Sequence, residues 1–306
     1  MKIAVIGSNM VDLITYIDRM PKEGETLEAP NFNMGCGGKG ANQAVAASKL
    51  KSDVMMVSKV GDDLFGKNTI KNFKDNGINT DFVTIQKNQA SGVAPIFVDK
   101  NSKNSILIVK GANKSLSPKD IDEASEELKK CSLIVLQLEI NLETVYYAID
   151  FANKNNIPVL LNPAPAISDL DLNYVCKCDF LAPNESELEI LTNKPVSTVE
   201  EIKEAARYIH DKGVKNVIVT MGSKGVLCIN NNDEYFIEAH KVNAIDTTGA
   251  GDSFIGCFAH FYVTTKDILL SLKRATAFAA LSVTRYGTQS SYPTKEEFEA
   301  YIKENN

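Results

Sequence analysis

A chain of 306 residues with 44% hydrophobic and 24% charged residues has the composition of a soluble globular protein, long enough for two domains or one large α/β unit. Its net charge of −6 and pI of about 5.3, with Lys and Arg dispersed, argue against nucleic acid or an anionic membrane as partner. No stretch approaches the roughly 18 apolar residues of a membrane span, and the opening apolar run 3–6 is too short for a signal-peptide core. Six scattered cysteines read as reduced thiols of a cytosolic protein, Cys176-x-Cys178 alone being a weak metal signal. The histidines at 210, 240 and 260 share no ligand spacing, which speaks against zinc.

In chain order, residues 3–6 predict a buried strand ending at Gly7, with no G-x-G-x-x-G after it. A nicotinamide dehydrogenase thereby loses its main support, and the absence of G-x-x-x-x-G-K-[ST] removes a P-loop NTPase. Residues 13–34 read as short strands and turns broken at Pro21 and Gly24. A helix over 40–50 carries Ala41, Ala44, Val45 and Ser48 on one face, and 54–57 is a second buried strand. Residues 92–98 and 106–109 flank a polar turn, 99–104, as a β-hairpin. This hairpin and the strands of 13–34 stand outside the later pattern and predict a small separate sheet.

From Ser115 the pattern alternates strand and helix. Ser117 caps a helix with Pro118 in its first turn and Ile121, Ala124, Ser125 and Leu128 on its buried face. Strand 133–138 ends at Glu139, the helix of Val145, Ala148, Ile149 and Ala152 follows, and strand 158–161 ends at Asn162. A short strand at 180–181 precedes Asn184, and a helix bearing Ile202, Ala205, Ala206 and Ile209 leads into strand 217–220. Such alternation implies a doubly wound parallel sheet with helices on both faces, where ligands gather beyond the carboxyl ends of the strands. Glu139, Asn162, Asn184 and Thr220 all fall there.

Two glycine-rich stretches open helices. In Asp246-Thr247-Thr248-Gly249-Ala250-Gly251-Asp252-Ser253-Phe254, small residues leave backbone amides approachable, and Ile255, Phe258 and Ala259 continue at helical spacing. A helix start there suits an oxyanion or phosphate, with the Asp252 carboxylate in its first turn. The second stretch is Gly35-Cys36-Gly37-Gly38-Lys39-Gly40-Ala41-Asn42-Gln43. One anion site and one small-ligand site, each on its own helix, is the layout of an enzyme joining two substrates.

Together with Asn184-Glu185-Ser186-Glu187, these motifs resemble the ribokinase family of carbohydrate kinases, its deoxyribokinase branch most closely, in register over 1–306. The resemblance implies one ribokinase-like domain, a doubly wound α/β core with a small β-sheet lid at about 13–34 and 90–110. The lid of such proteins often pairs with that of a second subunit. The implied reaction is transfer of the ATP γ-phosphoryl group to O5 of a pentose. Asp252 matches the catalytic base, with the amides of Gly249, Ala250 and Gly251 stabilising the transferring group. Met10, Asp12, Gly38, Lys39, Gly40, Ala41, Asn42 and Glu139 match the sugar positions. Asn184, Thr220, Gly222, Ser223, Lys224, Gly225 and Gly251 match the nucleotide positions, and Glu187 the acid associated with Mg2+. Asp246, Thr248, Ser282, Arg285, Gly287 and Ser291 match a monovalent cation (K+) site, several through backbone carbonyls.

One departure bears on the sugar. The bacterial ribokinase pattern has Asn two residues before the sugar-binding Asp, where this chain has Met10 before Asp12. Methionine offers neither a strong donor nor a strong acceptor, so 2-deoxyribose is expected first and ribose second. The alternatives are a kinase for another sugar or nucleoside, and a sugar sensor without catalysis; the intact Asp252 and glycine turn speak against the sensor.

Overall fold

Residues 1–100 and 104–305 are described by a computed structural model of the chain. The strands are β1 (Lys2–Ile6), β2 (Met10–Ile17), β3 (Asn31–Gly37), β4 (Asp53–Gly61), β5 (Asn79–Gln86), β6 (Val93–Asp99), β7 (Asn104–Ile106), β8 (Cys131–Leu136), β9 (Val159–Leu161), β10 (Phe180–Leu181), β11 (Asn216–Thr220), β12 (Val226–Asn230) and β13 (Glu234–Ile237). The helices are α1 (Lys39–Lys49), α2 (Leu64–Asp75), α3 (Pro118–Glu123), α4 (Ser125–Leu128), α5 (Leu142–Lys154), α6 (Leu172–Val175), α7 (Glu185–Thr192), α8 (Val199–Asp211), α9 (Ala250–Thr265), α10 (Ile268–Ser282) and α11 (Lys295–Glu304).

Nine strands form the main sheet in the order β13-β12-β11-β10-β9-β8-β1-β4-β5. Pairing is parallel from β11 to β5, and only β12 and β13 run antiparallel, at one edge. Alternation along β1 shows why both faces are covered. Ala4 and Ile6 enter a core shared with α3, α5 and α8, while Ile3 and Val5 enter the opposite core with α1, α9 and α10.

A second sheet of four strands, in the order β3-β2-β6-β7, is the small separate sheet expected from the sequence. Its strands begin closer to the core than the predicted bounds, since β2 starts at Met10 and β3 runs to Gly37, directly before α1. The hairpin's second strand is Asn104–Ile106, not 106–109, and Val109 makes only an isolated bridge to Val93. The turn tip, 101–103, lies outside the described residues. The single helix predicted after Ser117 is two, with Ala124 buried at the break between α3 and α4.

Candidate active site

The two glycine-rich helix starts meet. Gly38 precedes α1 with φ of 89° and Gly249 precedes α9 with φ of 73°, both left-handed conformations that favour glycine. The helices touch nearly backbone to backbone, because a Cβ on Gly256 would lie 2.5 Å from the Gln43 carbonyl oxygen. The buried Asp252 carboxylate of α9 is thereby brought to α1, accepting from Asn42 Nδ2 at 2.9 Å and from Gln43 Nε2 at 3.0 Å.

The two starts differ chemically. At α1 the Lys39 N–H donates to Glu139 Oε2 at 2.9 Å, the Gly40 N–H to Ser8 Oγ at 3.3 Å, and the Ala41 N–H to the Ser8 carbonyl at 2.9 Å. The Ser8 hydroxyl in turn donates to Glu139 Oε2 at 2.5 Å. Glu139 therefore caps α1, and the Gly40 and Ala41 amides expected to meet sugar are already occupied. At α9 the Ala250 N–H closes a turn onto Thr247 O at 3.2 Å, so Ala250 is not the open donor expected of it. The Gly251 and Asp252 N–H groups have no backbone acceptor among the described residues, and a Cβ on Gly251 would meet nothing within 4 Å.

Asp252 lies on the wall of a cavity of about 180 Å³ shared with Lys39, Asn162, Asn184, Glu187 and Thr220. Three of the four expected strand ends thus converge, since Asn162 follows β9, Thr220 ends β11 and Asn184 bridges to Thr220, whereas Glu139 turns instead to the α1 start. Asn184 also caps α7 through a reciprocal pair, accepting from Glu187 N at 2.8 Å and donating its own N–H to Glu187 Oε2 at 2.9 Å. Burial pushes the Glu187 carboxyl upward, opposed by the Asn184 N–H and by Lys39. Burial also favours a neutral Lys39, but the Asp252, Glu139 and Glu187 carboxylates outweigh it and hold the ammonium charged.

Beyond this cavity opens a cleft of about 820 Å³, lined by Thr220, Gly222, Ser223 and Gly225 on one side and Ala250 and Gly251 on another. Lys224, expected with them, directs its ammonium to Glu185 at 2.8 Å. The cleft also takes His240, Thr276, Ala279 and Val283, which carried no motif; α10 is apolar through most of its length, so its cleft-facing positions have no periodic signal.

Asp12 is not in the cavity of Asp252. It stands on β2 over Gly37, whose added Cβ would meet its carboxylate at 2.3 Å, and lines a separate cavity of about 430 Å³ with Asn33, Cys36, Asn72 and Gln289. A hydrogen-bond path joins the two cavities: Gln289 Nε2 donates to Asn42 Oδ1 at 2.9 Å, and Asn42 donates to Asp252. Burial raises the Asp12 carboxyl to about 7, helped by the Glu139 and Asp252 charges. Met10 shares the Asp12 face of β2 by strand alternation and is buried beside Ala94 and Ile96.

The predicted cation-site residues flank the α9 turn. Asp246 accepts from Thr248 N at 2.9 Å and from Gly287 N at 3.0 Å, tying two loops together. Ser282 and Ser291 are buried and donate to the Ala279 and Thr288 carbonyls at 2.8 Å each, while Arg285 pairs with Glu297 at 2.8 Å. Among the described residues there is no cluster of three or more His, Cys, Asp or Glu side chains able to hold a metal, and no helix long and apolar enough to cross a membrane.

The chain is similar to known proteins over nearly its whole length. The chain is 63% identical over 305 residues to a deoxyribokinase of Salmonella typhi, with 100% of both chains covered. It is 40% identical over 312 residues to a ribokinase of Dictyostelium discoideum, covering 96% of this chain and 98% of that one. Its fold superposes on Arabidopsis thaliana ribokinase complexed with ribose and ATP with a TM-score of 0.93 and 32% identity, covering 98% of each chain. Residues 1–295 match the pfkB family carbohydrate kinase description, and the chain belongs to that family.

Proposed function

We propose that the protein transfers the γ-phosphoryl group of ATP to O5 of a pentose, 2-deoxy-D-ribose first and D-ribose second, yielding the 5-phosphate. The observation that carries this reading is the buried Asp252 carboxylate at the start of α9, hydrogen-bonded to Asn42 and Gln43 of α1 and lining the small cavity that adjoins a wide cleft. In support, the relatives named above are a deoxyribokinase and ribokinases, one of them complexed with ribose and ATP.

ATP occupies the cleft, its base against the apolar wall of α10 and its phosphates toward the α9 start. As O5 bonds to the γ-phosphorus and the bond to the β–γ bridging oxygen breaks to release ADP, the O5 proton passes to Asp252, a step worth roughly 10²–10⁴-fold in rate. The Gly251 and Asp252 amides and the Lys39 ammonium face the charge that accumulates on the transferring group. Asp12 and Asn42 bind sugar hydroxyls from the lid side, and Glu139 holds the α1 start in place. Met10 offers no polar group from its own position on β2, which suits a substrate lacking one hydroxyl. An apolar pocket rejects an added hydroxyl by only about 10², so ribose remains a substrate.

The residues present fit Mg2+ carried mainly by phosphate oxygens and water, with Glu187 as the protein's outer carboxylate; Mg2+ neutralises phosphate charge when bound. They also fit K+ beside the α9 turn. Asp246 fixes two loops there, and the Ser291 hydroxyl spends its proton on a carbonyl, which leaves its oxygen able to accept, while the Ser282 hydroxyl meets both the Ala279 carbonyl and Ser253 Oγ. A cytoplasmic setting and a homodimer through the lid complete the reading.

Two measurements test it. Asp252→Asn lowers kcat by at least about 10² while sugar binding, followed by calorimetry, persists. Across a sugar panel in a coupled ADP-release assay, kcat/KM for 2-deoxyribose equals or exceeds that for ribose. A tenfold preference for ribose, by the scale of one pocket contact, rejects the deoxyribose assignment.

A further inference from the structure

We propose that Gln43 is a positioning residue for Asp252, locked into its working orientation by a buried relay of amides from Gln137 and Asn162. The proposal rests on reading Asp252 as the base.

The relay is anchored at a backbone carbonyl. Asn162 Nδ2 donates to Ala182 O at 2.8 Å, which turns Asn162 Oδ1 toward Gln43. That oxygen accepts from Gln43 Nε2 at 3.2 Å, and the same Nε2 donates to Asp252 Oδ1 at 3.0 Å. On the other side of the amide, Gln43 Oε1 accepts from Gln137 Nε2 at 2.7 Å. Flipping the Gln43 amide would set oxygen against Asp252 and Asn162, and nitrogen against nitrogen at Gln137. Each conflict would be buried, since Gln43 is 1% and Gln137 0% exposed.

Turning Gln137 over as well would leave the Asp252 and Asn162 oxygens still facing oxygen, relieving only the contact that Gln137 would then make through its own Oε1. That Oε1 already lacks a hydrogen-bond partner among the described residues and occupies the space a Cβ on Gly7 would need, 2.0 Å away. The orphaned oxygen is the cost of keeping the Gln137 N–H on Gln43.

The consequence falls on Asp252. Asn42 and Gln43, consecutive on α1, each hold one carboxylate oxygen, so the carboxylate plane is pinned against rotation. Asn42 stands on the sugar side, linked to Gln289 and the lid cavity, whereas Gln43 is sealed in the core. Asn42 is therefore free to trade its bond when sugar arrives, and Gln43 remains the fixed restraint. A base misplaced by about 1 Å costs on the order of 10²-fold in rate, and removing a donor from a carboxylate raises its proton affinity.

The test compares kcat, sugar KM and the pH dependence of kcat for wild type, Gln43→Met, Gln137→Met, the double variant and Asp252→Asn, with melting curves confirming folding. Gln43→Met is expected to lower kcat by roughly 10–100-fold, leave sugar KM within about threefold, and move the acid limb of kcat to higher pH. Gln137→Met, which touches nothing in the reaction, gives a smaller change of the same kind, and the double variant matches Gln43→Met. Should Gln43→Met not fold, the acid limb of Gln137→Met decides alone. A folded variant with wild-type kcat and an unmoved acid limb, or a loss confined to KM, overturns the proposal. If Asp252→Asn retains full turnover, the base assignment itself fails; if it is inactive while both glutamine variants behave as wild type, only the positioning role fails.

Discussion

Under the proposed function, Asp12 serves sugar binding at the expense of folding. Its carboxyl is raised to about 7 by burial and by the charges of Glu139 and Asp252, against 3.8 for an unperturbed group. In the unfolded chain Asp12 ionises near 3.8, while in the folded protein it stays protonated until about 7. Whatever stability it contributes is complete below the lower value and is lost as pH rises through the higher one. Asp12→Asn should therefore raise Tm, by on the order of 5 °C at pH 8 and by less at pH 5, while weakening sugar binding. Thermal melts at both pH values, paired with calorimetry, check both halves. A Tm gain independent of pH would show that the carboxylate is not under this strain. Asp252 is legible in the sequence because it closes a glycine-rich stretch at a helix start, whereas Asp12, between Val11 and Leu13, is reached only through the family resemblance. Gln137 and Gln289 are not legible, since isolated amides carry no periodicity and their partners lie 94 and 247 positions away.

At the scale of elements, the contact between α1 and α9 is what brings the site together. Gly256 lies one turn beyond Asp252, and a Cβ there would meet Ala46 Cβ and Gln43 O at 2.5 Å and Ala47 N at 2.9 Å. No flexible side chain is available to yield, so the helices must part. Gly256→Ala is expected to destabilise by about 1–3 kcal/mol and to lower kcat, because Asn42 and Gln43 retreat from Asp252. Gly251→Ala, whose Cβ meets nothing within 4 Å, should leave Tm unchanged or slightly raised, since alanine is the better helix former. Equal melting curves for the two variants would contradict the close packing. The helix at α1 is readable in advance because Ala41, Ala44 and Val45 repeat at helical spacing. By contrast α2 buries only Gly66, Thr69 and Phe73, too little apolar pattern to announce a helix. The Ala124 break between α3 and α4 is also invisible, since a buried alanine fits either reading.

For the molecule as a whole, the lid poses a solvation problem that the core does not. Its edge strand β3 carries no charged residue and leaves Phe32 57% and Met34 50% exposed, while Leu107 beyond β7 is 63% exposed. An uncharged edge strand with exposed apolar side chains invites pairing with another chain. A two-fold contact between lids would cover the same patch on both copies at once, with no new partner required. It would also brace β2, on which Met10 and Asp12 stand, so assembly and sugar affinity should be coupled. Replacing Phe32 and Leu107 together by lysine is expected to convert a dimer into a monomer in sedimentation at about 10 μM, since charge on both patches opposes the contact. Sugar KM should rise in the same variant, with ATP KM little changed because the cleft lies at the other side of Asp252. A wild-type protein that sediments as a monomer, or a doubly substituted variant that stays dimeric with unaltered sugar KM, would mean that the lid's apolar face is not a subunit contact.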